Sequence, residues 1–332
     1  MRKVYGLLSV IGLLAGLSVP AQAAIKVGLV LDRGGKDDKS FNASAYQGLL
    51  QCKSKFGVET KVVEAPDDTS YETLLRSFAQ KDYDLIIAVG FAQAEAVKKV
   101  APQFPTKHFA LVDSTVDAAN VRSLMFEEHE GSFLVGAIAA MTSKTGKAGF
   151  IGGMDIPLIR RFEKGFEAGV KKMNPKASVV SNFVGVTGEA WNNPPKAKEL
   201  ALAQFQAGAD VVFSAAGASN MGVFDAVEEK AGKLAIGCDS NQNWVKPGRI
   251  VTSMIKRVDA AVVDTCEAVS KNQFVGGVKR FGLANGGVDF ALDQNNEKLL
   301  SPAMVQKIND VKKGIITGKI QVPDYYKKKG NG

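Results

Sequence analysis

Ile25-Lys26-Val27-Gly28-Leu29-Val30-Leu31 runs directly into Asp32-Arg33-Gly34-Gly35-Lys36-Asp37-Asp38-Lys39-Ser40-Phe41-Asn42. The first part is a short, mostly apolar run with the length of a buried strand, and Ala43-Ser44-Ala45-Tyr46-Gln47-Gly48-Leu49-Leu50 beyond it has helical spacing. A strand that turns through glycines into a helix opens a βα unit. In an open parallel sheet that junction lies at the carboxyl ends of the strands, where ligands bind. Here it carries acids, a glycine pair, an aromatic ring and an amide within a single loop.

The alternation continues along the chain. Strands are predicted at 60–64, 85–89 and 108–112, with helices at 70–80, opened by Ser70 as N-cap, and 93–100. Residues 85–89 are apolar throughout, the signature of a strand covered on both faces. A second series follows from about Glu127, with strands at 147–151, 178–185, 210–214, 234–238 and 250–255. Its helices are predicted at 130–141, interrupted near Gly131 and Gly136, and at 159–173, 194–208, 221–229 and 258–270. Phe162, Phe166 and Val170 form one core-facing stripe of the second of these. Residues 281–291 read as glycine-rich and irregular, and 302–317 as a closing helix. Strands alternating with helices imply parallel sheets with right-handed crossovers, so the fold class is α/β. Two such series without a Pro/Ser linker imply two doubly wound lobes joined by short crossings, with a hinged cleft between them.

Met1-Arg2-Lys3, an apolar run over residues 6–17 and Val19-Pro20-Ala21-Gln22-Ala23 have the order of a secretory signal peptide cleaved near Ala23/Ala24. The apolar run is shorter than the roughly 20 residues of a membrane-spanning helix, and no lipobox cysteine follows it. A soluble, exported and most simply periplasmic protein is therefore expected. Removing the leader leaves about 309 residues, more than a single core usually serves. Two of the +8 formal charges, Arg2 and Lys3, leave with it. The remainder is spread thinly apart from Lys327-Lys328-Lys329, without the basic patch and interleaved aromatics of a nucleic-acid binder. The three cysteines, Cys52, Cys238 and Cys266, leave one thiol free, show no metal-ligand spacing, and allow a Cys52 to Cys266 bridge between two predicted helices. With only His108 and His129 available, and no GxSxG, HExxH or Walker loop, the chain offers no recognisable catalytic set, metal site or cofactor loop. His129, at the crossing between lobes, reads as structural.

Several stretches together resemble the basic membrane protein family of substrate-binding proteins for ABC importers. They are Asp37-Asp38-Lys39-Ser40-Phe41-Asn42, Val89-Gly90-Phe91, Val112-Asp113, Glu130-Gly131-Ser132-Phe133-Leu134-Val135-Gly136, Gly152-Gly153-Met154, Gly165-Phe166-Glu167-Ala168-Gly169, Trp191-Asn192-Asn193-Pro194, Ala215-Ala216-Gly217 and Gly237-Cys238-Asp239-Ser240-Asn241-Gln242. The resemblance implies a type I periplasmic-binding-protein fold, a small-molecule ligand of the purine nucleoside class, and an inner-membrane ABC permease as partner. It implies no cofactor, no metal and no nucleic acid, and a monomer is expected. The lobes are expected at residues 24–127 plus about 257–282, and at 128–256 plus about 283–332.

By the same resemblance Phe41 stacks on a base, Asn42 faces its edge, and Asp32, Asp113 and Asp239 take ribose hydroxyls beside Lys256. Trp191, Phe91 and Met154 complete the expected ligand set; Phe213 and Met221 are further candidates for the wall of the other lobe. The residues support part of this independently. Each of the three acids follows a predicted strand, so the parallel-sheet rule sends all three to one edge. An ionised carboxylate accepts from two vicinal hydroxyls, and a lysine keeps neighbouring acids ionised. Bland readings stand beside these: Phe41 as a hydrophobic staple, the acids as turn caps, Lys256 as a surface lysine and Trp191 as a loop cover. Arg33 and Lys36 are additions to the family's usual glycine loop, free to pair with Asp37 and Asp38 or to meet an anionic substituent. A sugar or signal-molecule receptor and, in another class, a nucleoside-cleaving enzyme are the alternatives.

Overall fold

A computed structural model describes residues 24–327. The proposed leader lies outside the described residues, as do Lys328 and Lys329 of the basic run. The first lobe opens with β1 (Lys26–Leu31), α1 (Phe41–Phe56), β2 (Glu59–Glu64), α2 (Tyr71–Gln80), β3 (Leu85–Val89), α3 (Ala94–Val100), β4 (His108–Val112) and β5 (Val121–Phe126). The second contains α4 (Glu128–Thr142), β6 (Lys147–Met154), α5 (Pro157–Met173), β7 (Ser178–Gly185), α6 (Pro194–Gln206), β8 (Val211–Ala215), α7 (Asn220–Glu229), β9 (Leu234–Asp239) and β10 (Ile250–Lys256). The chain then returns for α8 (Val258–Ser270) and β11 (Gly277–Phe281) and crosses once more for β12 (Val288–Phe290) and α9 (Pro302–Ile316).

The first sheet has strand order β11-β5-β4-β3-β1-β2, parallel throughout, and the second has β12-β10-β9-β8-β6-β7, parallel except for β12. The chain therefore passes between the sheets three times, after β5, β10 and β11, always at the β5/β11 and β10/β12 edges. In each sheet the order reverses beside its first strand, between β1 and β3 and between β6 and β8. Crevices open at such reversal points, and here they lie at the carboxyl ends facing the other lobe.

Several local expectations change. Residues 121–126 and 277–281 are strands, and the irregular stretch after Phe281 contains a further short one. Ser70 stands at the N-cap position of α2 as expected but makes no side-chain cap bond: it lies in a short 3-10 turn, and Asp67 accepts from its N–H at 3.0 Å. Helix α4 continues through Gly131 and Gly136 without a break. Phe166 and Val170 are fully buried and Phe162 nearly so, as the stripe requires. Cys52 on α1 and Cys266 on α8 form a disulfide, tying the returning helix to the first lobe, and Cys238 is a buried free thiol. Among the described residues no helix is long and apolar enough to cross a membrane.

Candidate functional site

The loop after β1 is held by its own acids. Asp38 accepts from the backbone N–H groups of Ser40 (2.8 Å), Asn42 (2.9 Å) and Ala43 (2.9 Å), so it supplies the cap that the first turn of α1 needs. Asn42 is clamped between two carboxylates: its Nδ2 donates to Asp32 Oδ1 at 2.7 Å and to Asp38 Oδ2 at 3.1 Å, while its Oδ1 accepts from the Asp32 N–H at 3.2 Å. Both amide hydrogens are thus engaged. Asn42 thereby props Asp32, whose Oδ1 also accepts from the Gly34 N–H at 3.2 Å. Asp32 Oδ2 is left facing the cleft next to Gly90. A Cβ on Gly90 would stand 2.9 Å from that oxygen, and the φ of +113° there also favours glycine.

A second group of acids surrounds one lysine. Lys256, at the end of β10, is 1% exposed, with its Nζ 2.6 Å from Asp113 Oδ2 and 3.2 Å from Glu128 Oε1. Burial pulls the ammonium down, but Asp113, Glu128 and Asp239 more than offset it and hold it above the ordinary lysine value. It also sits over the rings of Phe41, Phe126 and Phe162 at 5.1, 5.0 and 5.6 Å from their centroids. Burial raises Asp113, Glu128 and Asp239 above the usual carboxylate range, opposed in each by Lys256. Asp113 and Asp239 end their strands with φ of +69° and +66°, a left-handed conformation uncommon outside glycine, and such strain concentrates at working sites. Asp113 Oδ1 is buried without a hydrogen-bond partner among the described residues.

Behind this group Arg161 on α5 is 1% exposed and binds Glu128 Oε2 at 2.5 Å, Asp324 Oδ1 at 2.7 Å, Glu127 and the Phe126 carbonyl. Burial and Arg161 push the neighbouring His129 down to about 4, so its ring is neutral near pH 7. Glu128 and Arg161 went unnoticed in the sequence. The Glu127-Glu128-His129-Glu130 run at the lobe crossing was the available signal.

Asp32, Phe41, Asn42, Phe91, Asp113, Trp191, Asp239 and Lys256 line one cavity, together with Leu158, Ile159 and Phe162. Met154 is not on its wall but on that of an adjoining chamber. Phe213 is fully buried in the core of the second lobe, and Met221 packs against another core cluster, so neither forms the facing wall. Trp191 does, edge-on to Phe91 at 6.4 Å between centroids, and a side chain on Gly153 would collide with its ring. The lobes also meet at the rim. The Ser40 hydroxyl donates to Asp239 Oδ2 at 2.7 Å, Ser240 Oγ donates to the Ser40 carbonyl at 2.8 Å, and Gln242 Nε2 donates to the Lys39 carbonyl at 3.0 Å. Lys36 turns outward to Asp37 (2.6 Å) and Glu64 (3.9 Å), while Arg33 reaches across to Glu189 at 3.9 Å.

Two parallel α/β lobes that close their strand ends over a ring-lined, acid-floored cavity define a bilobed solute-binding protein. A family model described as ABC transporter substrate-binding protein PnrA-like (Bmp) matches residues 25–325, and the chain belongs to that family. It is 35% identical to the CD4+ T-cell-stimulating antigen of Listeria monocytogenes, over 90% of this chain and 88% of that protein. With the ABC transporter nucleoside-binding protein BmpA of Lactococcus lactis it shares 32% identity, covering 93% and 92% of the two chains. The crystal structure of an ABC transporter solute-binding protein from Aeropyrum pernix superposes with a TM-score of 0.82 at 30% identity, covering 90% of this chain and 94% of that one. The chain is accordingly an ABC transporter substrate-binding protein with a two-lobe type I fold.

Proposed function

We propose that the cleft captures a purine nucleoside, with the ribose at Asp113, Asp239 and Lys256 and the base between the rings and Asp32. The observation that carries this is the orphaned Asp113 Oδ1, a buried acceptor that a ligand hydroxyl would satisfy. The layout of the acids supports it. Asp32 follows β1 and Asp113 follows β4, two inter-strand steps apart, or about 10 Å. One sugar ring is too short for that span; a sugar joined to a bicyclic base matches it. Asp32 is therefore reassigned from the ribose to the base, where its free oxygen accepts a base N–H. The relative from Lactococcus lactis, called nucleoside-binding, adds weight.

The lobes are assigned to residues 24–127 plus about 257–282, and to 128–256 plus about 283–327. The receptor works outside the cytoplasm, a placement supported by its Cys52–Cys266 disulfide, and hands its ligand to a membrane permease as a monomer. A thermal-shift panel of inosine, adenosine, guanosine, ribose and galactose tests the ligand class. The purine nucleosides are expected to raise the melting temperature and the free sugars to leave it unchanged; a response to sugars alone would overturn the assignment.

A further inference from the structure

The cavity does not end at Asp32. Beyond it, on the side away from the three crossings, lies a second chamber. Asp32, Phe91 and Trp191 border both spaces, so only one carboxylate and two rings stand between them. The outer walls are mainly apolar: the Tyr71 ring, Ala92 and Met154. Arg33 and Asp68 form the rim. Arg33 is the only cation there among the described residues, and it stands with Asp68 beside it and Glu189 at 3.9 Å. That balance does not suit an anionic group, since Asp32, Asp68 and Glu189 outnumber the one guanidinium. Nor does an unsubstituted base reach this space if its ribose is fixed at Asp113 and Asp239.

Resting on the nucleoside reading, we infer that this chamber is a second subsite, which takes an uncharged alkyl or aryl substituent carried on the exocyclic amine of the base. The geometry of Asp32 selects that position. Its Oδ1 is held by Asn42 and Gly34, so the oxygen left for ligand sits at the boundary between the two spaces. A base N–H donating to that oxygen directs its own edge at the chamber. An exocyclic amine with one substituent keeps one N–H for Asp32 and sends the substituent past Phe91 and Trp191 toward Met154. Burying a phenyl-sized group against these walls adds binding without a new polar contact.

Calorimetric titration with adenosine, and with adenosine carrying a benzyl group on its exocyclic amine, tests the inference. The benzyl derivative is expected to bind the wild-type protein at least as tightly as adenosine. In Met154→Trp, which fills the chamber, the ratio of benzyl-derivative to adenosine affinity is expected to fall by about tenfold or more. Wild-type binding of adenosine with rejection of the derivative would overturn the subsite and leave the nucleoside reading standing. An unchanged ratio in Met154→Trp would also overturn it. Silence toward adenosine, inosine and guanosine alike would remove the nucleoside reading and the subsite with it.

Discussion

Asp32 carries opposite pH trends for binding and for folding. Burial, eased by the bonds from Asn42 and Gly34, pushes its carboxyl up to about 6 from 3.8. A folded-state value above the unfolded one means that ionised Asp32 opposes folding above pH 6, and that this cost fades as the pH falls from 6 toward 4. The proposed acceptance of a base N–H is strongest in the ionised form. Nucleoside affinity is therefore expected to drop by up to about tenfold per pH unit below 6, and Asp32→Asn to weaken binding at pH 7 and flatten that part of the profile. Calorimetry between pH 7 and 5 checks this; equal pH dependence in wild type and variant would remove Asp32 from the ligand's donor edge. At this scale the sequence was informative about which residues meet and less so about what each does. The acids after β1, β4 and β9 reach one cavity because strand ends share an edge. The engagement of Asn42 depends on Asp32 and Asp38 converging on one amide, which side-chain identity alone does not reveal.

Helix α1 begins where the ligand loop ends, and Asp38 couples the two. Asp38→Ala removes acceptors from three backbone N–H groups and frees one side of Asn42. A loss of about 1–2 kcal/mol in unfolding free energy, as for other N-cap deletions, is expected in urea denaturation, with weaker nucleoside binding because Asp32 loses its prop. Unchanged stability would mean that the cap is supplied elsewhere. Elements differed in how plainly they could be read. A strand covered on both faces, such as β3, announces itself by composition. Strand β5 does not, because Arg122 and Ser123 interrupt its apolar run. Arg122 is nonetheless buried, with Nε donating to the Val275 carbonyl at 2.9 Å and the guanidinium 4.7 Å from the Phe274 ring centroid. Strand β11 is exposed along most of its length and pairs with β5, more than 150 residues earlier in the chain, so no local pattern marks it. Glu128 and Arg161 likewise meet through the packing of α4 on α5, a contact that spacing along either helix cannot show.

The whole molecule is two sheets hinged at one edge, with the cleft running from the crossings to the open side. Asp113, Asp239 and Lys256 stand near the hinge, Asp32, Phe91 and Trp191 farther out, and Lys39 to Asn42 bridges to the turn after β9. Closure of this kind takes the acids out of water, strengthens their bonds to the ligand and turns occupancy into a shape that a permease can read. Such closure on the proposed ligand depends on its being long enough to touch both ends of that cleft. Calorimetric titration of the wild-type protein at pH 7 with inosine, adenosine, guanosine and ribose measures this most directly. Saturable one-to-one binding of at least one purine nucleoside, with no detectable heat of binding from ribose, is the predicted result. Binding of ribose with silence from all three nucleosides would contradict it.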